Sequence, residues 1–141
     1  SLRHPGIALL LPLLLTLIAA GPLGCAARHV ETGQASWYGP GFRGNPTASG
    51  RRFRPWRRTA AHPSLPFGAV VRVTRTDTGD KVRVVINDRG PYAGGRIIDL
   101  SRGAARRVHM LDAGVAPVEL RVVGCRRRYD GSRSCAAQGG R

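Results

Sequence analysis

The chain has 141 residues, with 23 lysines and arginines against 8 acidic residues and a formal charge of +15. That length holds one domain of about 100 residues with a small core and leaves little room for a second. Lys81 is the only lysine, so arginine supplies nearly all of the positive field; outside the cytoplasm such a surface meets anionic lipids and envelope polymers, not nucleic acid.

The first segment in chain order is the uncharged run Ile7 to Ala20, which follows Arg3 and His4 and contains Pro12. It is shorter than the roughly 20 apolar residues of a spanning helix and reads as the hydrophobic part of a secretory signal. Residues 1–25 are therefore expected to be a signal segment, 26–32 a linker, 33–124 the folded domain and 125–141 a basic tail. Export takes the chain through an oxidising compartment, where Cys125 and Cys135 can close a short disulfide loop and Cys25 is left over. The stretch PLGC ending at Cys25 resembles the lipobox of bacterial lipoproteins, which implies lipidation of Cys25 and a membrane anchor facing the periplasm. Ordinary cleavage after Ala20 or Ala27 is the competing reading, and Pro22 departs from the apolar residue usual at its position.

GQASWYG (Gly33 to Gly39) alternates and predicts a strand ending at glycine. Residues 40–58, rich in Gly, Pro and Arg, predict a long surface loop. The run from Ala69 to Asp88 predicts a hairpin, with two β-branched segments around a turn DTGD that carries Gly79. If Thr76 pairs with Lys81, Val73 faces Val84, Val71 faces Ile86 and Asp88 lies opposite Ala69. RIIDLSRGAARRV then predicts a short strand and a helix from Ser101, capped by Asp99 or Ser101. APVELRVV supplies a last strand. Short strands, tight turns and one helix favour a small all-β barrel.

Asp88 falls on the same side of its strand as Val82, Val84 and Ile86, so its carboxylate should sit at the rim of the core. The His62 loop should reach the same end of the barrel. A rim carboxylate beside a histidine suits general acid–base chemistry, whereas Asn-Asp before Gly-Pro is also an ordinary turn composition whose side chain satisfies backbone amides; both readings stay open. Asp99 is the second candidate carboxylate. Trp37, Tyr38 and Tyr92 could stack on sugar rings, although core packing also suits Trp37. The spacing offers no convincing metal set, phosphate loop or Ser-His-Asp arrangement, so no metal and no cofactor are expected.

Several stretches together, GQASWYG, PTASG, TAAHPSLPFGAVVRVT, VINDRGPY and RIIDLSRGAA, resemble the rare lipoprotein A (RlpA) family of bacterial envelope proteins, in order, from about Gly33 to Val123. The resemblance implies a six-stranded double-psi β-barrel with one or two short helices. It implies lytic transglycosylase action on peptidoglycan: cleavage of the MurNAc–GlcNAc bond without water, leaving a 1,6-anhydro sugar. Asp88 matches the aspartate of the family's NDRGP motif and His62 the histidine of its TAAH motif, which makes these two the expected catalytic pair. Asn87, Arg89, Tyr92, Trp37, Tyr38, Ser49, Arg51 and Asp99 are the expected glycan-binding or supporting residues. The chain departs from the family at GRRFR, where Arg51 and Arg54 stand in place of a glutamate and an aspartate, at what the resemblance implies is the border of the Asp88 cleft. If that glutamate is required, the domain is an expansin-like binder of glycan strands and not an enzyme. A monomer is expected.

Overall fold

The structure is a computed structural model in which residues 29–126 are described. The expected signal segment, Cys25, Cys135 and most of the basic tail lie outside these residues.

Six strands close into a barrel in the order β1-β5-β2-β4-β3-β6. They are β1 (Val30–Trp37), β2 (Thr59–Ala61), β3 (Ala69–Arg75), β4 (Lys81–Asp88), β5 (Arg96–Leu100) and β6 (Ala116–Cys125). The pairs β1–β5 and β2–β4 are parallel and the remaining pairs antiparallel. Alternation in the sequence decides what faces inward. Val71, Val73, Val84, Ile86, Ile98, Leu100, Val118 and Leu120 are all buried, and each such side chain contributes about 1.5–3 kcal/mol through burial. Their polar neighbours Arg72 and Arg83, paired across β3 and β4, occupy the outer face.

The helix α1 (Arg102–Arg107) starts where expected, with Ser101 as its cap: Ser101 Oγ accepts from Ala104 N at 3.3 Å. Asp99 is not the cap, because its carboxylate is engaged elsewhere. Gly103 is the close-approach position of this helix. A Cβ there would stand 2.6 Å from the Trp56 carbonyl oxygen, and Gly103 N donates to Pro55 O at 2.8 Å. The absence of a side chain thus seats residues 55 and 56 directly on α1.

Three expectations are corrected. The first strand begins at Val30, three residues before Gly33, because Val30, Glu31 and Thr32 pair with Arg121, Leu120 and Glu119 of β6; part of the expected linker is strand. Thr59–Ala61, which follows the expected 40–58 loop and carries no predicted element, forms β2 and bridges β4 and β5. Third, the β3–β4 register is shifted by two, with Val73 opposite Val82, Val71 opposite Val84 and Thr74 opposite Lys81. The turn explains the shift. Thr76 N bonds to Pro117 O of β6, Gly79 closes the turn at φ +81° with its N–H on Arg75 O, and Arg75 N pairs with Asp80 O. A shift of two keeps the paired side chains on their expected faces, and Asp88, which follows an irregularity in the β2–β4 register at Asn87, loses Ala69 as its partner.

Candidate active site

Asp88 ends β4 and is half-buried. Three donors converge on its carboxylate: the Tyr38 hydroxyl on Oδ2 at 2.7 Å, Ala48 N on Oδ1 at 2.8 Å and Arg89 N on Oδ1 at 2.9 Å. Each comes from a different part of the chain. Tyr38 follows β1, Arg89 follows Asp88 itself, and Ala48 lies in a small turned segment closed by the Pro46–Arg52 bridge. Ser49 N bonds to Asn87 O at 3.1 Å, which fixes that segment over the end of β4.

The Tyr38 ring packs on Phe53 and Phe42, with centroids 4.7 and 5.4 Å away. Burial, then the hydrogen bond to Asp88 and the charges of Asp88, Asp99 and Tyr92, push its phenol far above the ordinary tyrosine range. Tyr38 therefore keeps its proton and acts as a donor. Ser36 Oγ donates to Asp99 Oδ1. Ala61 of β2 pairs with Asp88 on one side and with Asp99 on the other, so the two carboxylates sit two strand spacings apart, about 9–10 Å at the backbone, with the Tyr38 hydroxyl in the field of both. Gly90, at φ +117°, carries the chain close to Asp99 Oδ2 and brings in Tyr92, which is 82% exposed.

Tyr38 also lines a cleft of about 700 Å³ with Trp37, Trp56, Arg43, Arg102 and Arg106. Trp56 is 60% exposed, and the Arg43 guanidinium stands over its ring at 5.4 Å. Exposed indole flanked by guanidinium donors is a surface on which a polar ring can stack.

His62 meets Asp88 through the backbone, with His62 N on Asp88 O at 3.1 Å. Its ring turns away. Nδ1 accepts from Ser64 N at 3.1 Å and Leu65 N at 3.0 Å, so Nε2 carries the proton and donates to Glu31 Oε2 at 2.9 Å. Burial lowers the His62 pKa, with the Glu31 hydrogen bond acting in the opposite sense. For Glu31, burial acts upward but the hydrogen bonds from His29 and His62 outweigh it and hold the carboxyl below its usual range. Possible ligand atoms of His29, Glu31 and His62 lie within 4.8 Å of one another, a donor set that suits divalent transition metals. The tautomer does not fit one, because the His62 nitrogen facing the cluster holds the proton and the other is occupied by two backbone amides.

The remaining expected residues divide between support and surface. The Arg89 guanidinium binds the carbonyls of His62 and Leu65 at 3.2 and 2.8 Å and lies 4.0 Å from the centre of the Phe67 ring, so it braces the 62–67 segment. Ser49 Oγ pairs with Thr47 Oγ1 at 2.9 Å. Arg51 and Arg54 line a separate pocket together with Asn87, and neither lines the cleft at Tyr38. Sequence reasoning missed Glu31, Ser36, Ala48 and Trp56. The first three reach partners that lie 31 to 63 positions away in the chain, which no local pattern records.

Comparison with known proteins matches this arrangement to one family. Residues 30–120 match the family model described as lytic transglycolase. A protein of Nostoc sp. named "Probable endolytic peptidoglycan transglycosylase RlpA" is 60% identical over 94 residues, covering 65% of this chain and 25% of that protein. The endolytic peptidoglycan transglycosylase RlpA of Campylobacter jejuni is 45% identical over 103 residues, covering 73% of this chain and 38% of its own length. The chain thus spans between a quarter and two fifths of these relatives. Among solved structures, the apo expansin of Clavibacter michiganensis is similar at 26% identity and a TM-score of 0.54, over 67% of this chain and 50% of the expansin. A mutant of that expansin solved with cellohexaose matches at 25% identity and a TM-score of 0.53, with the same coverage. With its closed six-stranded mixed barrel and its match through residues 30–120, the chain belongs to the lytic transglycolase family of double-psi β-barrels.

Proposed function

We propose that this domain is a peptidoglycan lytic transglycosylase with Asp88 as its acid–base group. The observation that carries the reading is the Asp88 carboxylate at the rim of the barrel, held by three donors beside the aromatic cleft through Tyr38. Protonated Asp88 gives its proton to the glycosidic oxygen as the C1–O bond breaks, and the leaving sugar departs with a free hydroxyl. The Tyr38 hydroxyl and the Ala48 and Arg89 amides stabilise the carboxylate as it forms, when the transition state needs them. The C6 hydroxyl of the same MurNAc then closes on C1, and Asp88 takes up its proton. Atoms balance without water, and the acid is restored. Asp99, oriented by Ser36, places a second negative group near the oxocarbenium-like centre. We read His62 as a positioning residue that ties the end of β2 to Glu31.

The second reading is a non-catalytic, expansin-like binder of glycan strands. Arg51 and Arg54 in place of acidic residues, and the likeness to an expansin, are the observations that favour it. Digestion of purified sacculi followed by mass spectrometry decides between them: 1,6-anhydro-muropeptides support the lyase, and binding without anhydro products supports the binder. By this reading the domain works at the bacterial envelope as a monomer, carried by the Ile7–Ala20 segment and a lipidated Cys25. Mass spectrometry of the mature N-terminus tests the anchor, and an unmodified start at Gly21 or Arg28 would overturn it.

A further inference from the structure

The cleft of about 700 Å³ beside Tyr38 gathers three guanidinium groups, Arg43, Arg102 and Arg106, around the indole of Trp56. No carboxylate lines it. Among the described residues, the arginines that form ion pairs are Arg75 and Arg121, and none of the cleft's three is among them. Arg102 and Arg106 stand four positions apart on the short helix α1, a spacing that sets like charges side by side at a cost in stability. An anion between them turns that repulsion into attraction. Trp56 is placed just as unusually. A tryptophan stabilises a fold by burying its large ring, yet this one is 60% exposed. Its backbone is nevertheless fixed. Gly103 N donates to Pro55 O at 2.8 Å, and a Cβ at residue 103 would meet the Trp56 carbonyl oxygen at 2.6 Å, so glycine, a poor helix residue, stands in α1 where it seats this segment. The Arg43 guanidinium stands over the ring at 5.4 Å and leaves the rest of the indole open.

We infer that this cleft is a subsite for an acidic pyranose, with the sugar ring stacked on Trp56 and its carboxylate held by Arg102 and Arg106. The choice of sugar rests on the function proposed above: in a peptidoglycan strand the acidic pyranose is MurNAc, whose lactyl group ends in a carboxylate when free. Guanidinium forks match a carboxylate in paired hydrogen bonds, and the apolar face of a pyranose matches an aromatic ring. The two halves of the cleft are served together only by a ligand that has both. A linear phosphodiester would use the arginines and leave the indole bare, and a neutral sugar would use the indole and leave the arginines unpaired. Tyr38 ties the subsite to the chemistry, since it lines the cleft while its hydroxyl serves Asp88. A strand that alternates GlcNAc and MurNAc carries an acidic ring at every second position, so a strand engaged at Asp88 presents one to the cleft. Trp56 and the two helix arginines then select it without touching the bond that breaks.

The test is equilibrium binding to two disaccharides that differ only in the lactyl group. The full chain is titrated with GlcNAc–MurNAc, which contains no MurNAc–GlcNAc bond to cut, and with chitobiose, its neutral counterpart; inorganic phosphate is the competitor. The wild type is expected to bind GlcNAc–MurNAc about 10-fold more tightly than chitobiose, a margin that narrows as salt rises through about 0.15 M. Arg102→Ala combined with Arg106→Ala should erase the margin, so that the two disaccharides bind alike. Trp56→Ala should weaken both by about 10-fold, and Trp56→Phe, which restores an aromatic face, should recover most of that loss. Equal binding of the two disaccharides by the wild type overturns the inference. So does a margin that survives the double substitution, or phosphate that displaces GlcNAc–MurNAc at equal concentration. A protein that shows the margin yet releases no anhydro products from sacculi keeps the subsite and loses the lyase, whereas one that releases them without the margin keeps the lyase and loses the subsite.

Discussion

His62 and Asp88 are joined by a backbone hydrogen bond at the end of the β2–β4 pair, yet their side chains stand in opposite conditions. Every hydrogen-bonding position of the His62 ring is in use, and the residue is 2% exposed. Asp88 receives three donors on a carboxylate with about four acceptor positions, and it sits half-buried at the rim. One group is spent on holding the fold, and the other is held by the fold and keeps capacity to spare. The difference teaches that a motif histidine next to a motif aspartate need not share its chemistry, and it can be broken by substitutions at the two positions.

The largest effect is expected at Asp88. In Asp88→Asn the retained oxygen still accepts from Ala48 and Arg89, and the Tyr38 hydroxyl can turn to accept from the new amide, so the barrel should melt within about 2 °C of the wild type. General acid–base groups contribute 10²–10⁴-fold, and release of anhydro-muropeptides should fall by about 1000-fold or more. Cleavage at the wild-type rate would return Asp88 to the role of a turn residue.

His62→Ala should show the reverse. It strips partners from the Ser64 and Leu65 amides and from Glu31, and opens a cavity in the wall, at a cost of about 2–4 kcal/mol. For a domain of this size that lowers Tm by roughly 10 °C or more. At temperatures where the variant is folded, kcat should stay within about threefold of the wild type. A kcat loss comparable to that of Asp88→Asn, with Tm unchanged, would make His62 part of the chemistry and erase the contrast.

Tyr38→Phe probes the donor that serves Asp88 without altering the packing on Phe42 and Phe53. Losing one hydrogen bond to a charge that forms in the transition state should cost about 10-fold in kcat, with KM little changed. A change confined to KM would place Tyr38 in binding through the aromatic cleft.

How far these roles were legible depends on whether the signal is local. The β3–β4 hairpin, the faces of its valines and the Ser101 cap follow from alternation and capping chemistry within a few residues. The β3–β4 register did not, because Thr76 pairs with Pro117 some forty positions away and thereby moves the turn. The strand β2 has three residues, too few for any period to show, and it is defined by its neighbours. Asp88 could be picked out by its place after an apolar run and by the NDRGPY resemblance. Its three donors, the Glu31 partner of His62 and the gathering of Arg126 with the 51–57 arginines exist only once the barrel has closed.

The smallest expected effect is on pH dependence, and it falls on the His62 side of the contrast. Burial holds the folded-state pKa of His62 below its ordinary 6.5, so between those two values the unfolded chain binds a proton that the folded chain refuses. Stability from this group is complete above about pH 6.5 and is lost as pH falls toward the folded value. Glu31, held below its ordinary 4.5 by its two histidines, acts with the same sign over a lower window. The two losses therefore follow one another on acidification, each unit of pH removing at most about 1.4 kcal/mol per group. Urea midpoints measured from pH 8 to about pH 3 should be level at first and then decline below about pH 6.5. Glu31→Gln should remove the lower part of the decline and deepen the upper, since the ring stays buried with its Nδ1 bonded to Ser64 and Leu65 and loses the one partner that raises its pKa. A wild-type profile that is flat through pH 6.5, or that rises on acidification, would show that the His62 ring takes a proton in the folded barrel, and would restore it as a proton carrier beside Asp88.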